Sequence, residues 1–163
     1  MNFTTIATLF SLVYCAPAGL ASRDNDEPYY GLVAVHSGNA QVHLKPIKVN
    51  PDSFLSLEGF TDLDFNLYSY GTAYSISPSH FGYFSLNADN SIQLVDSATN
   101  VESALDHRVF KFNNNSSFGV CLDNNLVYYL GNETPACQNL VGVELFGFAS
   151  DNSDISSEII GKL

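Results

Sequence analysis

The sequence predicts an all-β domain, and three features of the chain indicate that class. From Tyr29 onward, short apolar runs alternate with clusters of Asn, Asp, Gly, Ser and Pro, so strands are expected about every 8–12 residues. The chain has twelve Phe, nine Tyr and no Trp, a composition that can fill a core and cross-strand pairs with aromatic rings. Helical periodicity is weak throughout residues 22–163, and its best candidate is one or two turns over Thr99–Asp106. We therefore expect a compact antiparallel barrel or β-trefoil-like domain, with a two-sheet β-sandwich as the alternative.

Two segments near the start of this domain are predicted strands. Tyr30–Val35 is a continuous apolar run of strand length. Ala40–Ile47 alternates between apolar and polar residues, which places Val42 and Leu44 on the same face of a strand. The Ser, Gly and Asn residues between the two segments have turn chemistry.

Two hairpins and a closing strand are predicted further along the chain. Apolar runs that flank short Asn- and Asp-rich turns give the hairpins. In chain order the strands and turns are Phe81–Leu86, 87–90, Ser91–Val95, Phe118–Leu122, 123–125, Leu126–Leu130 and finally Val141–Phe148. The stretches around Phe54, Phe84 and Val120 each contain a strand, a polar turn and a second strand, and this weak three-fold similarity suggests the trefoil form.

The chain is predicted to carry a secretory signal peptide over residues 1–21. Residues 3–13 are apolar and uncharged, small residues follow up to Ala21, and charges begin abruptly at Arg23. The apolar run is shorter than the roughly 20 residues that a bilayer-spanning helix needs. The expected organisation continues with a flexible lead-in at 22–28, a single all-β domain at 29–150 and a polar C-terminal tail at 151–163.

The charge of the chain argues against two classes of partner. Its formal net charge is −11 at pH 7, which disfavours nucleic acid and anionic lipid surfaces, since both require clustered Lys and Arg. No closing apolar tail of the length of a GPI signal and no second apolar segment of spanning length is present in the sequence, so no membrane anchor is expected.

The cysteines are consistent with export. Cys15 lies in the predicted signal peptide, which leaves Cys121 and Cys137 as an even pair. In an oxidising compartment these two most simply form one disulfide. Such a bond closes a loop of about 17 residues and is worth roughly 3 kcal/mol in the chain-entropy model. A structural zinc site requires four ligands, so no metal is expected here.

Three sequons for N-glycosylation occur in the predicted mature chain. They begin at Asn114, Asn115 and Asn132, and the first two overlap. In a eukaryotic secretory pathway these are expected to be surface positions.

The candidate chemical groups do not form a recognisable catalytic set, so we predict no catalytic residues and no cofactor. The histidines at 36, 43, 80 and 107 are not at metal-ligand spacing, although His36 and His43 are expected to approach across one hairpin. Asp62 and Asp64 share a face if their segment is a strand. A retaining glycosidase requires two carboxylates about 5 Å apart, one of them in a pocket that raises its pKa. Four tyrosines are candidates for stacking on sugar rings, namely Tyr68, Tyr70, Tyr74 and Tyr83.

Two blocks of the sequence resemble PhiA-like fungal cell-wall proteins. The first is residues 30–47, an aromatic-Gly-apolar strand followed by a Ser-containing turn and a His-Leu-Lys-Pro strand; it is also similar to the opening block of yeast cell-wall mannoproteins. The second places Cys121 before a Val-Tyr strand and Cys137 before the closing apolar strand. The resemblance covers about a third of the predicted domain, and the family's early cysteine pair has no counterpart in residues 50–100.

The resemblance implies a secreted, non-catalytic wall protein with a role in wall assembly or in the development of spore-forming cells. Its expected partners are cell-wall polysaccharide or other wall proteins. An extracellular carbohydrate-binding module that recognises wall polysaccharide is the alternative, and a small hydrolase built on Asp62, Asp64 or a histidine is a third class.

Overall fold

The computed structural model describes residues 29–68, 71–99, 101–131 and 133–150, and strands dominate them. None of these residues is helical, so the described part of the chain contains no helix that is long and apolar enough to cross a membrane. The predicted all-β class is confirmed. The predicted signal peptide, the lead-in and the C-terminal tail lie outside the described residues.

Fourteen strands make up the described fold. They are β1 (Tyr30–Val35), β2 (Lys45–Pro46), β3 (Lys48–Val49), β4 (Leu55–Ser56), β5 (Thr61–Asp62), β6 (Phe65–Leu67), β7 (Ala73–Ser77), β8 (His80–Leu86), β9 (Ile92–Val95), β10 (Ser103–Asp106), β11 (Val109–Phe112), β12 (Phe118–Cys121), β13 (Val127–Tyr129) and β14 (Leu140–Ala149). The continuous apolar strand, both hairpins and the closing strand were all predicted by the sequence, and all are confirmed.

The strands form one 11-stranded sheet and one three-stranded sheet, with antiparallel pairing in both. The main path of the large sheet is β10-β11-β14-β1-β6-β7-β8-β9, with β2, β12 and β13 attached beside it, and the small sheet has the order β4-β3-β5. The large sheet is not closed as a barrel, because β10 and β9 lie at opposite ends of the hydrogen-bonded path. In this respect the structure differs from the barrel that the sequence suggests.

Strand β14 connects the two ends of the domain. Its later residues pair with β1 from Tyr30↔Ala149 to Val35↔Glu144. Its earlier residues pair with β12 from Phe118↔Val143 to Cys121↔Leu140. The alternating sequence of β14 directs Val143 and Leu145 inward, and both are buried. The last described strand therefore lies beside the first, β1, and also beside β12.

One predicted strand is wrong, and the weak helical candidate of the sequence forms a strand. Ala40–Ile47 was predicted to be one strand, but backbone turn bonds hold residues 39–43, and Leu44 adopts a left-handed φ of 58° that breaks the extended backbone. The weak helical candidate over Thr99–Asp106 instead contains β10, which pairs along its whole length with β11. The tight turn at His107 and Arg108, with φ of 48° and 72°, allows this hairpin.

The core is centred on a cluster of phenylalanines. Phe110 is fully buried, and its ring centroid lies 5.1 Å from that of Phe112 and 5.7 Å from that of Phe65. Phe84 and Phe118 complete the cluster, each at a centroid separation of 5.9 Å from Phe110. Tilted and edge-to-face contacts at these distances are favourable beyond the apolar area that they bury.

Candidate functional site

Strands β7 and β8 present one buried face and one outer face. In β7, Ala73, Ser75 and Ser77 are buried, whereas Tyr74 and Ile76 between them are partly exposed. This is the alternation of a strand with one covered side. In β8 the same pattern buries Gly82 and Phe84 and leaves Phe81 and Tyr83 on the outer side.

The strand register brings these outward residues together. Tyr74 lies opposite Tyr83, and Ile76 lies opposite Phe81. The two tyrosine rings make an edge-to-face contact, with a centroid separation of 4.8 Å and an interplanar angle of 70°. We call these four residues the tyrosine face. Phe81 is 58% exposed, which is unusual for a large apolar side chain in a strand.

The outward side chains in the row of the two tyrosines and in the next row are uncharged. The row that contains the two tyrosines begins at Asn66 on β6 and ends at Val95 on β9. The next outward pair is Ser85 with Gln93. The other row, with Ile76 and Phe81, begins beside Asp64, whose carbonyl oxygen accepts a hydrogen bond from the N–H of Ile76 at 2.8 Å and whose carboxylate accepts one from the hydroxyl of Ser150. An aromatic surface with a carboxylate residue at one edge thus lies on a strongly acidic protein.

Buried serines fix the strands beneath the tyrosine face. Ser75 donates its hydroxyl to the carbonyl oxygen of His80 at 2.9 Å, which ties β7 to the start of β8. The backbone N–H of Asp64 donates to Ser77 Oγ at 2.9 Å. Because both serines are fully buried, these bonds are shielded from water and hold the face in one geometry.

The face can bind flat, partly apolar molecules. Large exposed apolar patches with a polar rim mark interaction sites, and tyrosine offers both an apolar ring and a hydroxyl. The two tyrosine rings are inclined at 70° to each other and cannot both lie flat on one planar surface. This geometry suits a single flexible polymer chain better than the flat surface of a crystalline polymer.

The other two predicted tyrosines do not extend the candidate site. Tyr68 is partly buried near the turn after β6, where its N–H bonds to the carbonyl of Thr72. Tyr70 lies outside the described residues. Sequence reasoning missed Phe81 and Ile76, although the alternation of both strands contains the signal that places them beside the tyrosines.

The predicted carboxylates have separate structural partners. Asp62 is exposed on β5 and lies 3.8 Å from the Lys48 ammonium on the neighbouring strand. Asp64 is partly buried and bonds to Ser150. The buried residue Leu63 stands between them. Both carboxylates therefore serve contacts between segments of the fold.

Three of the four histidines make contacts with each other or with a serine, and the sequence predicted one of these contacts. His36 and His43 do approach, since the N–H of His36 lies 3.3 Å from Nδ1 of His43. Nδ1 of His80 lies 3.5 Å from the hydroxyl of Ser53. Within the described residues, no carboxylate is hydrogen-bonded to His80, so this Ser–His contact lacks the third group of a catalytic triad.

The predicted disulfide is present between Cys121 and Cys137, with Cα atoms 5.9 Å apart. Asp123 Oδ2 lies 3.7 Å from each sulfur, and the three groups are close enough together for a metal site. Disulfide sulfurs have no thiolate to offer a metal, so the carboxylate is the one ligand left. Asp123 instead accepts hydrogen bonds from the Asn139 side chain and from the backbone of Gln138 and Asn139, which hold the pKa of Asp123 below its ordinary value.

Two of the predicted sequon asparagines are described. Asn114 is exposed and Asn115 is partly buried, both in the turn between β11 and β12. Asn132 lies outside the described residues.

Comparison of the chain with family models, curated proteins and solved structures finds no match. Its function is therefore inferred from its own residues.

Proposed function

We propose that this chain is a secreted, non-catalytic structural protein of the fungal cell wall that is retained there by polysaccharide bound on the tyrosine face. The observation that carries the proposal is the contact of Tyr74 with Tyr83 in a row without charged side chains, on an outer surface that also exposes Phe81. The apolar faces of sugar rings stack on such rings, and the hydroxyls of tyrosine and the neighbouring polar side chains can bond to sugar hydroxyls.

The charge distribution supports a neutral ligand. The chain has a formal net charge of −11, so anionic polymers are repelled over most of its surface. The outward side chains of β6 to β9 are uncharged, with the partly exposed Ser85 and Gln93 as the polar groups in the row beside the rings. A neutral wall glucan or chitin chain fits this chemistry.

Secretion and a wall location are supported by the sequence. The predicted signal peptide, the disulfide pair and the resemblance to PhiA-like wall proteins agree with each other. A role limited to polysaccharide recognition, as in a carbohydrate-binding module, is the second candidate because it uses the same face.

The first experiment is a pull-down of the purified secreted protein on insoluble β-glucan and on chitin, followed by an assay for released sugar. We expect saturable, reversible retention of the wild type and loss of retention in the double variant Y74A/Y83A. F60A is the matched control because Phe60 is an exposed aromatic residue between β4 and β5.

The outcomes separate the functional classes. Binding without sugar release, together with wall retention in vivo, supports the structural proposal. Binding in vitro by a protein that diffuses freely in culture favours the module. Released sugar indicates a hydrolase, and equal retention of wild type and double variant contradicts the role of the tyrosine face.

A further inference from the structure

We propose that Asn114 carries an N-linked glycan and that the overlapping sequon at Asn115 is left unmodified. This inference concerns a modification site away from the tyrosine face. It rests on the proposed secretion, because the modifying enzymes act in the secretory pathway.

A tight turn places Asn114 at the tip of a loop. The N–H of Asn115 donates to the carbonyl of Phe112 at 2.8 Å, and the N–H of Phe112 donates back to the carbonyl of Asn115 at 2.9 Å. Asn113 and Asn114 between them have φ of 46° and 62°. Positive φ at both central residues is the two-residue hairpin geometry that asparagine tolerates well. The side chain of Asn114 is therefore carried on a projecting, ordered turn.

The three consecutive asparagines have different side-chain environments. Asn113 Oδ1 accepts a hydrogen bond from the N–H of Glu102 at 3.1 Å. Asn115 Oδ1 accepts one from the N–H of Ser117 at 2.7 Å, and Asn115 is partly buried. Asn114 is exposed, and its amide has no hydrogen-bond partner among the described residues. A glycan on its Nδ2 displaces no contact of the fold.

The segment after Asn115 is fixed against the sheet. The carbonyl of Ser117 accepts a hydrogen bond from the N–H of Leu130 at 2.9 Å, and Phe118 begins β12 and is buried. The side-chain bond of Asn115 to Ser117 thus lies beside packed backbone. A bulky oligosaccharide fits the open tip at Asn114 better than this position.

The overlap of the sequons allows each to be removed without changing either asparagine. Ser116→Ala abolishes the sequon of Asn114 and keeps that of Asn115, whereas Ser117→Ala does the reverse. Thr134→Ala removes the third sequon, at Asn132, and serves as the background for both variants. The two serine variants are matched controls for each other.

The test expresses the full chain in a yeast secretory host and locates the glycan by mass spectrometry. Chymotryptic cleavage after Phe112 and Phe118 releases residues 113–118, and peptide N-glycosidase in heavy-oxygen water labels each asparagine that carried a glycan. We expect the label on Asn114, its loss in S116A and its retention in S117A. A label on Asn115, or a secreted protein in which residues 113–118 carry no label, would overturn this inference and leave the proposed secretion standing. Protein found only in the cytosol, without glycan, would contradict both the inference and the proposed secretion.

Discussion

Asn139 donates a side-chain hydrogen bond to Asp123, with 2.5 Å between Nδ2 and Oδ1. The same carboxylate accepts the backbone N–H groups of Gln138 and Asn139, each at 3.2 Å. Asp123 follows β12 and the two donors precede β14, so one carboxylate connects the turn after β12 to the segment that leads into the longest strand. These bonds favour the ionised form and lower the pKa of Asp123.

The free energy of unfolding should therefore decrease as the pH is lowered, and Asp123 should account for part of this decrease. Its pKa is lower in the folded chain than the ordinary value of about 3.9, so the unfolded chain takes up this proton first as the pH falls. The contribution of Asp123 is present above that ordinary value and is lost as the pH falls through the folded pKa. We expect D123N to show a shallower loss of unfolding free energy below about pH 4 than the wild type, measured by urea denaturation.

Asp96→Asn is the control for this experiment. Asp96 is exposed, and its carboxylate has no hydrogen-bond partner within the described ranges. D96N removes one negative charge without removing a set of hydrogen bonds, so the difference between the D123N and D96N slopes isolates the effect of the bonds to Asp123. Identical slopes for D123N and wild type would show that the bonds from Asn139 do not act in solution.

The disulfide should supply a measurable part of the stability. We expect C121S/C137S to lose roughly 3 kcal/mol of unfolding free energy, because the open chain gains loop entropy when unfolded. Urea denaturation with and without reductant checks this: reductant should destabilise the wild type and leave the variant unchanged. Equal stability of oxidised and reduced wild type would contradict the prediction.

The phenylalanine cluster should be the most sensitive part of the core. Phe110→Ala removes the ring that contacts four other buried rings and should cost about 3–5 kcal/mol. Phe60→Ala, at a side chain that is 90% exposed, should stay within about 0.5 kcal/mol of the wild type. Thermal or urea unfolding measures both, and similar losses in the two variants would mean that the cluster is not the core.

Sequence patterns between residues close together in the chain predicted the hairpins of this fold. The hairpin of β8 with β9 and that of β12 with β13 followed from apolar runs around Asn- and Asp-rich turns, which are signals between near neighbours in the chain. The failure at Leu44 has a local cause as well, since the alternation of its segment gave no sign of a positive φ. The pairing of Tyr30 with Ala149 joins residues from opposite ends of the domain, and no short-range pattern specifies it.

The candidate site was only partly predictable for a similar reason. Tyr74 and Tyr83 were singled out as aromatic residues, but alternation tells which residues share a face and not which face the rest of the chain covers. That choice depends on the burial of Phe84 and Ser75 against distant strands. Phe81 could be placed beside the tyrosines only after the inner face was known.

The central claim is that the tyrosine face binds a neutral wall glycan, and calorimetric titration of the secreted protein with a soluble linear β-glucan oligosaccharide tests it most directly. Y74A and Y83A should each weaken binding by about tenfold or more, a loss of at least about 1.4 kcal/mol, while F60A keeps the wild-type affinity. Tyr83→Phe, which retains the ring, should recover most of the affinity lost in Y83A. No saturable heat from the wild type, or equal affinities for wild type, Y74A and Y83A, would contradict the claim.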